Sequence, residues 1–349
     1  MTTDVEIDAE LGESPWPGEA EATRAIASLI ETTIRKRYPP ENRPARRDAH
    51  PKAHGCVRAT FTVVPELPAS LAHGVFVPGK SYRAWIRFSN GSSDPSRADA
   101  KGDARGMAIK LTGVPGAKLL PAESDAQTQD FVLLNHPVFF IDDPRQYLAL
   151  FRRGGSPNPL VKLTAPFAIG LKGVLITRAI AQKQIANPLH TRYWSTVPYR
   201  LGDGAHKQAV KYSARPCVPH ANDRIPDNPD PNYLRKAMAS TLAAGDACFE
   251  FLVQPRRSPA MKVEDSQTEW LESEAPFVKA ATITIPAQAF DSDAQMAFGE
   301  NLSFTPWHAL PEHRPLGAVN RVRRVVYEQI SKVRHELNQA PREEPAPWP

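Results

Sequence analysis

Between Glu19 and Tyr38 the apolar residues Ile26, Leu29, Ile30 and Ile34 recur at helical spacing, and Pro39-Pro40 must stop that helix. Further on the period shortens to that of strands. Residues 57–64, 81–88, 107–111, 130–134, 208–212, 249–254 and 280–285 are short, β-branched or aromatic runs bounded by turn residues, and these seven predict a barrel or a sandwich. Helical spacing reappears at 144–152, 160–184, 233–244 and 316–338, between and after the strands. Helices that decorate a sheet without alternating with its strands predict an α+β fold.

Composition narrows this picture without changing it. With 349 residues, 41% hydrophobic and 23% charged, the chain has globular proportions and is neither disordered nor collagenous. Its 35 prolines break it too often for a long helical bundle. The apolar stretch 160–181 is interrupted by Lys162, Pro166, Lys172 and Arg178, so no membrane span is expected. A net charge of +5 with both signs interspersed gives no reason to expect nucleic acid as a partner. Cys56, Cys217 and Cys248 are few and widely spaced, which predicts no disulfide framework and a reducing, cytoplasmic setting. Residues 1–17 are acidic, lack a secretory pattern and read as a flexible tail; 338–349 read as a Pro-rich flexible tail. One domain over 18–337 is expected between them.

The helix at 316–338 carries the chemistry. Val319, Val322, Val326, Ile330, Val333 and Leu337 form one apolar stripe. At about 100° per residue Arg323, Arg334 and Tyr327 share one shoulder of it, spread over an axial distance of about 16 Å. Two accounts of this shoulder stand side by side. Arginine stems commonly snorkel over apolar surface with a tyrosine at the rim. Alternatively, a tyrosinate can ligate haem iron while arginines pair with the propionates through bidentate hydrogen bonds.

The spacing of Arg323, Tyr327 and Arg334 resembles the proximal motif of the haem catalase superfamily, in particular its smaller catalase-related members. Arg47, His50, Lys52 and Gly55 look like that family's distal-histidine segment, and Arg87-Phe88-Ser89 and Asp103, Arg105, Gly106, Ala108 and Lys110 look like its next strands. Residues 130–140 with Asp143-Pro144 look like its distal-asparagine segment, and Phe304 and Pro306 precede the last helix as expected. The resemblance, over about residues 44–336, implies an antiparallel β-barrel of about eight strands with surrounding helices and without the flavodoxin-like C-terminal domain of large catalases.

It also implies roles. The cofactor would be haem b with Tyr327 as the metal ligand, and Arg47, Arg87, Tyr147, Arg323 and Arg334 would bind the macrocycle. His50 would be the distal acid/base, with His54 as the rival imidazole. Leu134 stands where the family carries the distal asparagine and Asn135 one residue later, so Asn135 is taken as the second catalytic residue. Tyr147 replaces a stacking phenylalanine. The implied activity is that of a haem peroxidase or catalase-type oxidoreductase acting on hydrogen peroxide or an organic hydroperoxide, with a lean towards the organic substrate. A haem store or sensor without turnover, and a true hydrogen peroxide catalase, are the alternatives. Whether the chain is a homo-oligomer stays open.

Overall fold

Alternation of side chains along the strands decides where everything else goes. The chain runs α1 (Glu19–Arg37), β1 (Ala53–Val63), β2 (Ser81–Asn90), β3 (Arg105–Thr112), β4 (Thr128–Leu134), α2 (Pro144–Gly154), α3 (Pro159–Leu163), α4 (Gly170–Gln182), β5 (Tyr193–Trp194), β6 (Tyr199–Leu201), β7 (Gln208–Pro216), α5 (Tyr233–Ala244), β8 (Ala247–Pro255), β9 (Val278–Ile285), α6 (Asp293–Asn301) and α7 (Ala318–Asn338). The computed structural model describes residues 5–220 and 223–348. All strand pairs are antiparallel, and the order β5-β4-β3-β2-β1-β9-β8-β7-β6 is closed by pairing of β5 with β7. β5 and β6 lie end to end along the same edge of β7, so the barrel has eight strand positions.

Inward positions fill the barrel: Phe61, Phe76, Phe131, Tyr212, Phe249 and Phe251 are fully buried, and all but Phe249 meet one another ring to ring, mostly edge-on or tilted. The interior is therefore packed core, and any ligand must bind outside it. On the outer side α7 lays Val322, Val326, Ile330, Val333 and Leu337 against Ile26, Ile30 and Ile34 of α1, with Leu148 and Phe151 of α2 completing the layer.

Several sequence expectations are corrected here. The short β5 and β6 and the helix α6 were not expected, and the helix expected over 160–184 is broken into α3, a turn of 3-10 helix and α4. The N-terminal stretch is no free tail from Val5 onward. Glu13 is buried between Arg314 and Arg321, 2.8 Å from each, and Arg321 also meets Glu19 at 2.5 Å, which pins the start of α7. The C-terminal stretch is docked as well. Glu344 lies 2.6 Å from Lys110, and Trp348 donates to the Ala84 carbonyl beneath the Arg83 guanidinium. Cys217, just past the end of β7, and Cys248 of the adjacent β8, 31 residues apart, form a disulfide, so a reducing compartment loses the support that unpaired cysteines gave it. Among the described residues no helix is long and apolar enough to cross a membrane.

Two buried histidines make the fold acid-sensitive. His313 accepts from the Val75 amide at 3.0 Å and meets the Tyr212 hydroxyl at 3.0 Å; burial pushes its pKa down to about 3. Burial likewise pushes His54 down to about 3. The unfolded chain binds protons at these groups below about pH 6.5 and the folded chain does not. Their contribution to stability is complete above pH 6.5 and is lost as pH falls towards 3. Each histidine should therefore cost about 2 kcal/mol of stability at pH 5 relative to pH 7. Urea titrations across that range should show the loss, and His313→Gln should flatten the pH dependence; an equal slope in the variant counts against it.

Candidate active site

The outward positions of three strands make one wall. On β2, β3 and β4 the pairing aligns Arg87 with Ala108 and Val132, and Ser89 with Gly106 and Leu134. The middle residues are the smallest, so the wall is hollow at its centre. Facing it are Val319, Val322, Arg323, Val326, Tyr327, Ile330 and Arg334 of α7, and between them lies a cavity of about 500 Å³. That volume falls within the range of cofactor pockets.

His50 enters the cavity from the segment before β1. Its backbone is left-handed, φ 61°, a conformation uncommon for a residue with a Cβ and found where a site demands it. Its Nδ1 is 2.9 Å from Ser89 Oγ. A Cβ on Gly106 would come within 2.7 Å of the imidazole Cε1 and Nδ1, so only glycine leaves room for the ring. Burial and the positive charges of Arg87, Arg323 and Arg47 hold the His50 pKa down to about 3. The imidazole is neutral across the physiological range.

At the opposite end of the wall three arginines meet one glutamate. Glu300 of α6 lies 2.9 Å from Arg47 and 3.1 Å from Arg87, and its backbone carbonyl accepts from Arg334 at 2.5 Å. Burial raises the Glu300 pKa, but Arg47, Arg87 and Arg334 outweigh it and hold the carboxyl below its ordinary range. Burial brings Arg47 and Arg87 to about 10. Arg87 Nε is buried without a hydrogen-bond acceptor, an uncommon and costly condition. The cluster is built for carboxylates and has donor capacity left over.

Seven of the eight nominated residues thus share the cavity: Arg47, His50, Arg87, Tyr147, Arg323, Tyr327 and Arg334. Tyr147 sits against Phe151, and burial pushes its hydroxyl well above the usual phenol range. Arg323 bonds Asn320 and lies over the Phe139 ring. Among the described residues the Tyr327 hydroxyl takes no hydrogen bond.

Asn135 does not belong to the cavity. Consecutive strand residues point to opposite faces. Since Leu134 lines the cavity, Asn135 turns away, its Oδ1 accepting from the Arg105 amide at 2.8 Å. His54 is likewise outside, 2.8 Å from Asn90 Oδ1 in a buried network with Asp99, Lys52 and Arg105. Glu300 and Gly106 escaped a functional assignment from sequence. Glu300 rides on α6, whose signal was the Ser292-x-x-Gln295 start, where Ser292 Oγ accepts from the Gln295 amide.

The Catalase family model matches residues 30–165, the stretch from Ile30 of α1 through the strands of the wall, α2 and α3. The catalase-related peroxidase of Mycolicibacterium paratuberculosis is 28% identical over 286 residues, covering 79% of this chain and 85% of that protein. Over these stretches the chain is similar to the catalases. A fungal catalase superposes with a TM-score of 0.65 at 18% identity, over 84% of this chain and 60% of that one. Catalase A of Saccharomyces cerevisiae gives 0.64 at 18%, over 94% and 69%. The chain therefore spans under two thirds of the fungal catalase, and at these identities the two superpositions establish the fold alone.

Proposed function

We propose that the chain is a haem-dependent enzyme that metabolises hydroperoxides, with organic hydroperoxides favoured over hydrogen peroxide. The observation that carries this reading is a single cavity with a neutral histidine on its strand wall, an unpartnered tyrosine hydroxyl on the facing helix, and at one end two arginines on the Glu300 carboxylate with a third on its backbone carbonyl. The fit to haem rests on that carboxylate cluster. Arg47, Arg87 and Arg334 would bind the propionates, Tyr327 would hold the metal, and Tyr147 would pack beside the macrocycle. When bound, the haem supplies the redox centre at which a peroxide O–O bond is cleaved.

The remaining steps belong to the chain. His50, with Nδ1 engaged by Ser89, offers Nε2 to take the proton of an incoming hydroperoxide and to return it to the departing oxygen. Arg323, one turn before Tyr327, would complement the negative charge of the phenolate if Tyr327 held the metal. Leu134 and Val132 give the distal wall an apolar surface where large catalases are expected to carry an amide, which favours an alkyl substrate over water-like peroxide. Asn135 is left with no part in this scheme.

Haemin reconstitution tests the proposal. The expected result is one haem per chain and faster consumption of an alkyl hydroperoxide than oxygen release from hydrogen peroxide. Failure to take up haemin removes the reading; uptake without turnover of either substrate makes the chain a haem store. Gly106→Ala gives a sharper check. Its methyl group would push the imidazole aside, and a displacement of about 1 Å costs on the order of 100-fold in turnover. Circular dichroism and haem content should stay as in the parent, and undiminished turnover would count against the His50 assignment.

A further inference from the structure

We propose that the outward face of α3, the turn after it and α4 seats the protein on an anionic lipid surface beside the mouth of the cavity. Nine large apolar side chains are exposed among the described residues, and six of them, Leu160, Val161, Leu163, Phe167, Leu171 and Leu175, fall in this one segment. Phe167 and Leu171 are 76% and 77% exposed. Contiguous exposed apolar surface marks an interaction site.

The helical geometry makes the exposure deliberate. With Leu171 at zero, Leu175 and Arg178 fall at about 40° and −20° on the outer side, while Gly173 and Ile180 fall at about 200° and 180° on the inner side. Gly173 is pressed onto the barrel flank, where a Cβ would come within 2.6 Å of the Phe140 carbonyl. α4 is apolar on both faces, and only the inner one is covered. A helix apolar all round is at home in a core or a membrane.

Charge selects the partner. Between Pro144 and Gly202 there is no Asp or Glu and there are nine Lys or Arg, in a chain whose totals of 43 basic and 38 acidic residues nearly balance. Lys172 reaches Asp265 at 3.8 Å, but Arg152, Lys162 and Arg178 are exposed without an acidic partner among the described residues. A second copy docking here about a two-fold axis would set these cations against their own images. An apolar surface rimmed by cations matches a bilayer rich in anionic lipid. Thr177, Ile180 and Ala181 of the same α4 line the cavity. Lipid hydroperoxides would thus reach the site from the bilayer; that consequence rests on the function proposed above, whereas docking does not.

Sedimentation of the holoprotein with vesicles of phosphatidylcholine alone, or with phosphatidylglycerol added, tests this directly. Binding should require the anionic lipid and weaken with salt. Replacing Arg152, Lys162 and Arg178 together by glutamine should lower the affinity about 100-fold. Phe167→Ser with Leu171→Ser should lower it at least about tenfold, and turnover of a small soluble hydroperoxide should be unchanged in both variants. Failure to bind anionic vesicles, equal binding to neutral ones, or a dimer in solution that the Phe167→Ser, Leu171→Ser pair converts to monomer each overturns the proposal. Turnover lost in the parent protein with vesicle binding intact would instead remove the peroxide reading and leave the docking face standing.

Discussion

Tyr327→Phe should leave the fold almost untouched and lower haemin retention by at least the 10- to 100-fold that losses outside the ligand sphere already cost. The ring stays, half-buried at the edge of the layer between α1, α2 and α7, and the hydroxyl gives up no protein hydrogen bond among the described residues. Thermal stability of the haem-free form should therefore change by less than about 1 kcal/mol. Any haem that remains should show an altered spectrum, because the axial ligand sets the electronics of the iron. Retention and spectrum equal to those of the parent would mean that Tyr327 is a rim residue of a snorkelling helix, and the proposed chemistry would have no anchor. Arg334→Gln offers a useful contrast. It weakens one end of the carboxylate cluster and should slow haemin capture without changing the spectrum of what binds.

The two periods in the sequence carried most of the fold. Seven strands emerged because each is long enough for alternation to register, and because their inward residues are large and apolar. β5 and β6, of two and three residues, are too short to show a period at all. The break after Leu163 was hidden because Pro166 and Gly170 sit in a stretch whose apolar residues keep helical spacing on both sides. Both chain ends were misread for one reason. Acidic and proline-rich segments look solvated in isolation, and only the folded chain reveals the buried Arg314, Arg321 and Lys110 that hold Glu13 and Glu344. The Cys217–Cys248 pair was invisible because neighbours 31 residues apart leave no mark in spacing.

The site was legible where one helix or one strand carries it. Arg323, Tyr327 and Arg334 share a shoulder of α7 by arithmetic alone, and Arg87 and Ser89 share a face of β2 by alternation. What spacing could not supply is convergence between elements. Glu300 is meaningful only because α6 brings it between arginines from three other segments, and Gly106 only because a histidine with φ 61° leans over it. Asn135 was chosen for its chemistry one position past Leu134, and the period of two in a strand ruled it out.

That same geometry separates the two histidines. His50→Ala should keep haem, since none of the arginines and neither tyrosine proposed to hold it is touched, and lower hydroperoxide turnover by about 100- to 10,000-fold, the range that general acid–base catalysis contributes. The parent's turnover should show no inflection near pH 6.5, because burial and Arg87, Arg323 and Arg47 keep His50 neutral down to about pH 3. His54→Ala acts on a different link. It breaks the bond to Asn90 within the buried Asp99 network, leaving polar groups unsatisfied, and should cost stability of about 1–3 kcal/mol while the surviving folded protein turns over normally. Measuring turnover per folded, haem-loaded molecule keeps the two effects apart. If the loss per loaded molecule follows His54 and spares His50, the distal assignment moves four residues along the chain, and the hollow kept by Gly106 would need another explanation.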